Sequence, residues 1–444
     1  MRPKLWQLYH LEPPAGLLND PNGLAFFDGA YYVFFQWNKF EKNHSYKEWG
    51  SFTSSDLLHW RFNGSALLPD QPYDQHGVYS GSAFVKDNAL YLCYTGNHKE
   101  DGRRTSRQCI AVTQDGRRYL KLGPVLDKPE GYTPHFRDPD VFQGENGEYF
   151  MLIGAQRVNG RGALALARSR DGLSWQYERV FAYSEQYEMI ECPDLFRLDG
   201  QYILLYCPQS RDRETDITTF SYSGYKPVGF DEAAGTISPA DADLDHDCIP
   251  MDHGFDFYSP QTLEDNRGRR ILFAWMSRME QADEDVFSAG EPAIHCLTMP
   301  RVLHWRNRCL LQQPPDEFYQ MLGGPIEADQ LTSRAFHLAI RDLPGLHPFR
   351  LTLHGGEASV TFDPASRVLT LSRLSWMTGR PEYKTCKLDA LHALELWSDY
   401  SSIEIFVNEG STVLSSRIYP SSETLGIDIE GADGCSTILR PIHK

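Results

Sequence analysis

Residues 24–36 read LAFFDGAYYVFFQ: an apolar run, the pair Asp28-Gly29, then a longer apolar and aromatic run. Asp-Gly between two β-prone runs is a strong hairpin signal, because both residues tolerate the positive φ that a tight turn needs. The pattern returns in residues 83–96 (AFVKDNALYLCYTG), 141–155 (VFQGENGEYFMLIGA), 195–208 (LFRLDGQYILLYCP) and 261–276 (QTLEDNRGRRILFAWM). Between these hairpins lie echoes of a second turn, SSDLLHW at 54–60 and SRDGLSW at 169–175. The hairpins recur every ~55–65 residues, within reach of the long periods that mark propellers. Five repeats in order, each with room for four strands, predict an all-β fold built on a five-bladed β-propeller. An ordinary β-sandwich with accidental hairpin similarity is the competing reading, and five ordered matches weigh against it.

Counting back from the turns groups residues that are distant in sequence. Asp20 precedes Asp28 by eight residues, Asp138 precedes Asn146 by eight, Glu191 precedes Asp199 by eight, and Ser80 precedes Asn88 by eight. If the hairpins are blades, these side chains converge around the propeller axis. Each acid has a proline within two residues on its C-terminal side, which stiffens the backbone presenting it. Asp20 sits in GLLNDPNG (residues 16–23), whose Asn, Pro and Gly have the chemistry of a tight turn. Taken singly, each acid reads as a turn, ion-pair or strand-edge residue. Together they are the equipment of glycoside hydrolysis: one carboxylate acts as nucleophile or base and another is kept protonated as acid. Close carboxylates push their pKa values apart, which supports that division. Trp37, Trp49, Tyr79 and Tyr258 offer apolar walls for a sugar, although blade packing claims most such rings.

Composition narrows the partners. The chain has 444 residues, 43 basic and 60 acidic, for a net charge of −17. That excludes broad binding to nucleic acid or anionic membranes, and it is compatible with a neutral sugar. No stretch approaches the roughly 20 apolar residues of a membrane helix, and the basic N-terminus has no apolar run behind it to suggest a signal peptide. Nine scattered cysteines without a C-x-x-C pair argue against a disulfide framework or a zinc site and favour a reducing, cytoplasmic setting. A monomer or homodimer is expected.

Three motifs stand in order along the chain: His10-x-x-Pro13-x-x-Gly16-x-x-Asn19-Asp20-Pro21-Asn22-Gly23, Phe136-Arg137-Asp138-Pro139 and Glu191-Cys192-Pro193-Asp194-Leu195. They resemble those of glycoside hydrolase family 32, which includes invertases, sucrose-6-phosphate hydrolases and fructanases. Gln36, Trp49-Gly50, Tyr79-Ser80-Gly81-Ser82, Asp256-Phe257-Tyr258 and Met299-Pro300-Arg301 fall in order beside the three motifs. The resemblance runs over residues 10–315, with a weaker echo at 403–410. It implies a five-bladed propeller followed by a β-sandwich, and a retaining β-fructofuranosidase acting on sucrose or sucrose 6-phosphate through a covalent fructosyl intermediate. By motif position Asp20 is the nucleophile, Glu191 the general acid and then base, and Asp138 the binder of fructosyl hydroxyls. Asn19, Gln36, Trp49, Ser80 and Arg137 line the fructose subsite, with Tyr79 and Asp256 as further members. Retention implies that the Asp20 and Glu191 carboxyls stand ~5–5.5 Å apart. No metal or organic cofactor is implied.

Two departures bear on the leaving-group side. The family's Trp-Gly-His reads Trp49-Gly50-Ser51, and the aromatic that precedes it has no clear counterpart among residues 38–47, where Phe40, His44 and Tyr46 are the substitutes on offer. A phosphorylated substrate calls for Lys or Arg at the rim. Arg103, Arg104 and Arg107 are near enough in chain order, against the commoner reading of a solvated hairpin. Alternatives to the hydrolase are a fructan exo-hydrolase, a fructosyltransferase sharing the covalent intermediate, and a catalytically silent sugar-binding propeller.

Pro314-Pro315 and Leu322-Gly323-Gly324-Pro325 bracket a polar linker. The boundaries expected are residues 1–320 for the propeller and 329–444 for the sandwich. The second unit is marked by strand-like runs at 349–353, 358–362, 368–372, 393–398, 403–407 and 412–418, and bracing the propeller is its expected role.

Overall fold

The computed structural model describes residues 6–212, 214–238, 243–280, 291–420 and 425–444; the N-terminal basic stretch at residues 1–5 lies outside them. Before residue 314 the strands form two separate four-stranded antiparallel sheets, a five-stranded sheet whose edge strand pairs in parallel, and a ten-stranded sheet that joins two successive antiparallel units. The first strands of these sheets and units are Gly16–Phe27, Val78–Lys86, Tyr132–Gln143, Met189–Leu198 and Tyr258–Glu264, and these neighbour one another in a closed ring. The five hairpins read from sequence are the first two strands of these blades. Ring closure is reinforced where Ala293–Ile294 pairs in parallel with Gly16 and Leu17.

Each seam between blades has its own apolar core, which explains the continuous apolar runs of the inner strands. Phe34, Trp49, Leu92 and Tyr94 fill the seam between the first and second blades. Phe84, Ile110, Met151 and Ile153 fill the next, followed by Phe150, Leu164, Leu204 and Tyr206 and by Phe196, Leu205, Leu272 and Leu303. Val33, Phe35, Phe273 and Trp275 close the circle between the fifth blade and the first. Outer strands such as Arg61–Leu67 alternate in burial because one face meets water. The second turn motif is an Asp-centred loop: Asp56 Oδ1 accepts from the N–H groups of Leu58 and His59, and Asp171 Oδ1 from those of Leu173 and Ser174. A third copy, Asp115 with Arg117 and Arg118, completes a set that sequence reading found only in part.

Beyond the propeller, two five-stranded sheets face each other across a core that includes Phe336, Leu351, Val360, Leu371, Leu396 and Ile405. This β-sandwich is fixed to the propeller by buried ions. His10 lies 2.8 Å from Asp399 and 2.9 Å from Glu404, and Arg301 bridges Glu404 and Asp252. The apolar cluster of Tyr9, Met299, Phe318, Trp397 and Phe406 packs beside them.

Candidate active site

The first strands carry their functional residues at breaks in strand register. Pairing skips between Leu18 and Pro21, Tyr79 and Gly81, Arg137 and Asp140, Glu191 and Asp194, and Tyr258 and Gln261. A bulge turns one side chain out of the ladder and re-aims it, and φ is positive at Asp138, Cys192 and Ser259. The GLLNDPNG stretch is therefore not the tight turn expected from its composition. It lies within one twelve-residue strand bulged twice, once at Asn19-Asp20 and again between Asn22 and Ala25. Pro21 and Gly23 (φ 54°) serve the bulges as they would have served a turn.

These bulges bring the three acids into one electrostatically coupled group. Ser80 Oγ donates to Asp20 Oδ2 at 2.5 Å, while Asp20 Oδ1 is buried without a hydrogen-bond partner. Burial raises the Asp20 carboxyl above its ordinary value and Glu191 adds to the effect, against Ser80 and Lys47. Asp138 accepts the Cys192 N–H at 3.3 Å, and its own N–H donates to Thr95 Oγ1 at 3.1 Å. Burial, then Glu191, pushes Asp138 up to about 7. Glu191 is the most heavily bonded of the three. Arg137 donates to its Oε1 from both Nε (2.9 Å) and Nη2, and its Oε2 accepts from Gln209 Nε2 and, at 2.9 Å, from Tyr258 Oη. Burial opposes ionisation here, yet Arg137 and Arg211 hold Glu191 below its usual value.

Of the other residues named from sequence, Asn19 accepts from Lys47 Nζ at 2.6 Å, and Gln36 stands on the partner strand opposite the Asn19-Asp20 bulge, donating to Val78 O at 2.9 Å. Tyr79 is half-buried under the guanidinium of Arg104. Trp49 is 0% exposed, packed on Phe34 and Tyr94 with its indole N–H on Tyr79 O; it supports the Tyr79-Ser80 backbone and offers no open face to a sugar. Asp256 is a correction. It is 0% exposed and its carboxylate is taken by Arg373 and Arg417 of the sandwich, so it joins the domains instead of meeting a sugar hydroxyl.

Sequence reading missed an outer ring of support. His135 Nδ1 lies 2.7 Å from Arg137 Nη1, and Nε2 lies 2.9 Å from Asp216. Burial and Arg137 pull His135 down to about 3, so the neutral ring accepts from Arg137 and donates to Asp216. Arg211 Nη1 donates to Gln209 Oε1 at 2.8 Å, which turns the Gln209 amide nitrogen toward Glu191. Lys47 also meets His44 at 2.8 Å, and the His44 ring stands edge-on to Trp275. Phe40 is exposed at the rim and packs on Tyr46. None of His135, Arg211, Gln209 or Lys47 was singled out in a sequence motif, and their chain positions alone carry no signal.

A β-propeller that collects three carboxyls and binds a guanidinium to one of them defines the class: a glycosidase. Comparison with known proteins gives the family. Residues 10–314 match the model of the glycosyl hydrolases family 32 N-terminal domain, and residues 325–440 match that of the family 32 C-terminal domain. The chain belongs to glycosyl hydrolase family 32 and is a glycosidase of β-fructofuranosidase type. It is 38% identical to a sucrose-6-phosphate hydrolase of Bacillus subtilis (strain 168), over 93% of this chain and 89% of that protein. It is 37% identical to one of Klebsiella pneumoniae, over 93% and 88%. Its fold is similar to that of a sucrose-6-phosphate hydrolase from Lactobacillus gasseri (TM-score 0.88, 26% identity, covering 100% of this chain and 94% of that one). A Bombyx mori GH32 beta-fructofuranosidase is also similar (TM-score 0.84, 25% identity, 100% and 95%).

Proposed function

We propose that this protein hydrolyses sucrose 6-phosphate, and sucrose less efficiently, with retention at the fructosyl anomeric carbon. Asp20 Oδ1, the oxygen without a hydrogen-bond partner, attacks C2 as the bond from C2 to the leaving oxygen breaks and the Glu191 proton passes to that oxygen. Water then attacks C2 and gives its proton to Glu191, and the ester to Asp20 breaks. Asp138 receives fructosyl hydroxyls and balances the charge of the oxocarbenium-like transition state. Asn19, Gln36, Ser80 and Arg137 position the nucleophile, the acid and the sugar between them.

The observation that carries this reading is the unequal treatment of the three coupled acids. Asp20 keeps one oxygen without a hydrogen bond, whereas Glu191 has both oxygens engaged by donors. The carboxyls titrate as a set. Within that set Asp138 is raised and Glu191 lowered, and sugar hydroxyls donating to ionised Asp138 favour the proton's residence on Glu191. The phosphorylated substrate is supported by the names of the similar proteins above and by the basic side chains of Lys47, Arg104 and Arg211 around the acids. Nine free cysteines support a cytoplasmic location, and the proposed domain boundaries remain 1–320 for the propeller and 329–444 for the sandwich. The test is fructose release from sucrose and sucrose 6-phosphate by the wild type and by Asp20→Asn. The reading requires turnover of both sugars and a loss of about 10⁴-fold or more in the variant. Comparable turnover by the variant refutes it.

A further inference from the structure

We propose that Arg104 is the residue by which this enzyme recognises a phosphorylated leaving group. The inference rests on the fructofuranosidase reading and goes beyond it by assigning the phosphate to one side chain. Arg104 lies on the strand Arg103–Thr113 opposite Lys99, toward the hairpin tip from the Thr95–Gln108 pair that underlies Asp138. Its guanidinium stands 5.0 Å over the ring of Tyr79, the neighbour of Ser80, and its Nε donates to Asn97 at 2.8 Å. Among the described residues it makes no ion pair, and its Nη2 is buried with no acceptor. The adjacent basic residues behave as a solvated hairpin should: Arg103 is exposed, and Arg107 pairs with Asp127 at 3.0 Å.

A half-buried guanidinium whose Nη2 is buried without an acceptor needs a reason, and although Asp138 and Asp216 offset part of the charge, a second cation aggravates it. Burial, then the charge of Arg137, weakens the hold of Arg104 on its proton. Arg137 is committed to Glu191 and His135, so Arg104 is the guanidinium left with donors to spare. An anion arriving beside it would satisfy the stranded donors and relieve the repulsion. Location identifies which part of the substrate that anion belongs to. Arg137 grips Glu191, the proposed acid for the leaving oxygen, and Arg104 feels the charge of Arg137, which assigns the anion to the leaving group. A phosphate monoester is a dianion whose oxygens match the planar donor fork of arginine, and flat support from Tyr79 keeps that fork oriented.

The test uses purified full-length wild type, Arg104→Gln and Arg104→Lys. Initial rates are measured with sucrose and sucrose 6-phosphate, and inhibition with glucose and glucose 6-phosphate. In Arg104→Gln the kcat/KM ratio of sucrose 6-phosphate to sucrose is expected to fall about 10- to 100-fold, chiefly through KM. Arg104→Lys should recover part of that loss. An unchanged ratio, or a parallel loss on both sugars, overturns the proposal. If the glutamine variant does not fold, the wild type still decides: it must be inhibited at least about 10-fold more strongly by glucose 6-phosphate than by glucose, and equal inhibition overturns the assignment. Wild type that cleaves sucrose without favouring the phosphate refutes this inference and the proposed substrate preference, and leaves the retaining fructofuranosidase mechanism standing. Wild type that releases fructose from neither sugar refutes the underlying reading as well.

Discussion

Arg137 donates two hydrogen bonds to a single oxygen of Glu191, one from Nε at 2.9 Å and one from Nη2. The fork thus closes on Oε1 alone, and Oε2 is left to Gln209 and Tyr258. This places the guanidinium beside Glu191, the acid/base carboxyl of the proposed mechanism, as both its orienter and the main charge holding it ionised.

Replacing Arg137 by Met removes that charge, so Glu191 and Asp138 both titrate at higher pH. Both limbs of the kcat/KM–pH profile should move upward and peak kcat should fall about 100-fold, on the scale of lost charge-assisted hydrogen bonds. A pH series on wild type and variant checks this. A profile that stays in place contradicts the assigned electrostatics.

Ser80→Ala removes the hydroxyl that donates to Asp20 Oδ2 and helps hold the Asp20 carboxyl down. The acid limb of kcat/KM should shift to higher pH and the maximum should drop about 10-fold. A loss in KM with an unshifted acid limb would instead assign Ser80 to sugar binding alone.

His10 ties the propeller to the sandwich. Burial alone would lower it, but its hydrogen bonds to Asp399 and Glu404 raise it to about 9. Because the folded value exceeds the unfolded one near 6.5, this contribution is complete below about pH 6.5 and is lost as pH rises through about 9. Its size is roughly 3 kcal/mol. The Tm difference between wild type and His10→Gln should therefore shrink between pH 6.5 and 9.5; a constant difference would show that the ring is not charged in the fold.

Asp256→Ala leaves Arg373 and Arg417 buried without their carboxylate, a loss of about 3–5 kcal/mol in stability. The fraction that folds should keep the wild-type KM for sucrose within about 3-fold. A selective rise in KM without loss of Tm would return Asp256 to the sugar site.

The hairpins at 24–36, 83–96, 141–155, 195–208 and 261–276 were legible because turn chemistry and apolar runs are local, and five copies average out errors in any one. The grouping of Asp20, Asp138 and Glu191 was legible because each interrupts an apolar strand beside a proline. Asp256 was not, because its partners Arg373 and Arg417 lie 117 and 161 residues downstream in the other unit. GLLNDPNG was half-legible: Pro and a positive-φ Gly serve a bulge as well as a turn, and only pairing with Ala30–Asn38 distinguishes them. Trp49 was read as a wall for sugar, but the seam between the first and second blades claims it. Gln209 and His135 act only through other side chains, and no spacing announces that.

In the proposed mechanism Asp20 carries the fructosyl group between the two half-reactions. Glu191→Gln protein should accumulate that ester when supplied with an activated β-D-fructofuranosyl donor whose leaving group needs no proton, because the base for its hydrolysis is gone. Quenching in acid, digestion and peptide mass spectrometry should then find one hexosyl unit on the peptide containing Asp20. Turnover of the donor with no labelled peptide, or a label on Asp138, would contradict the account.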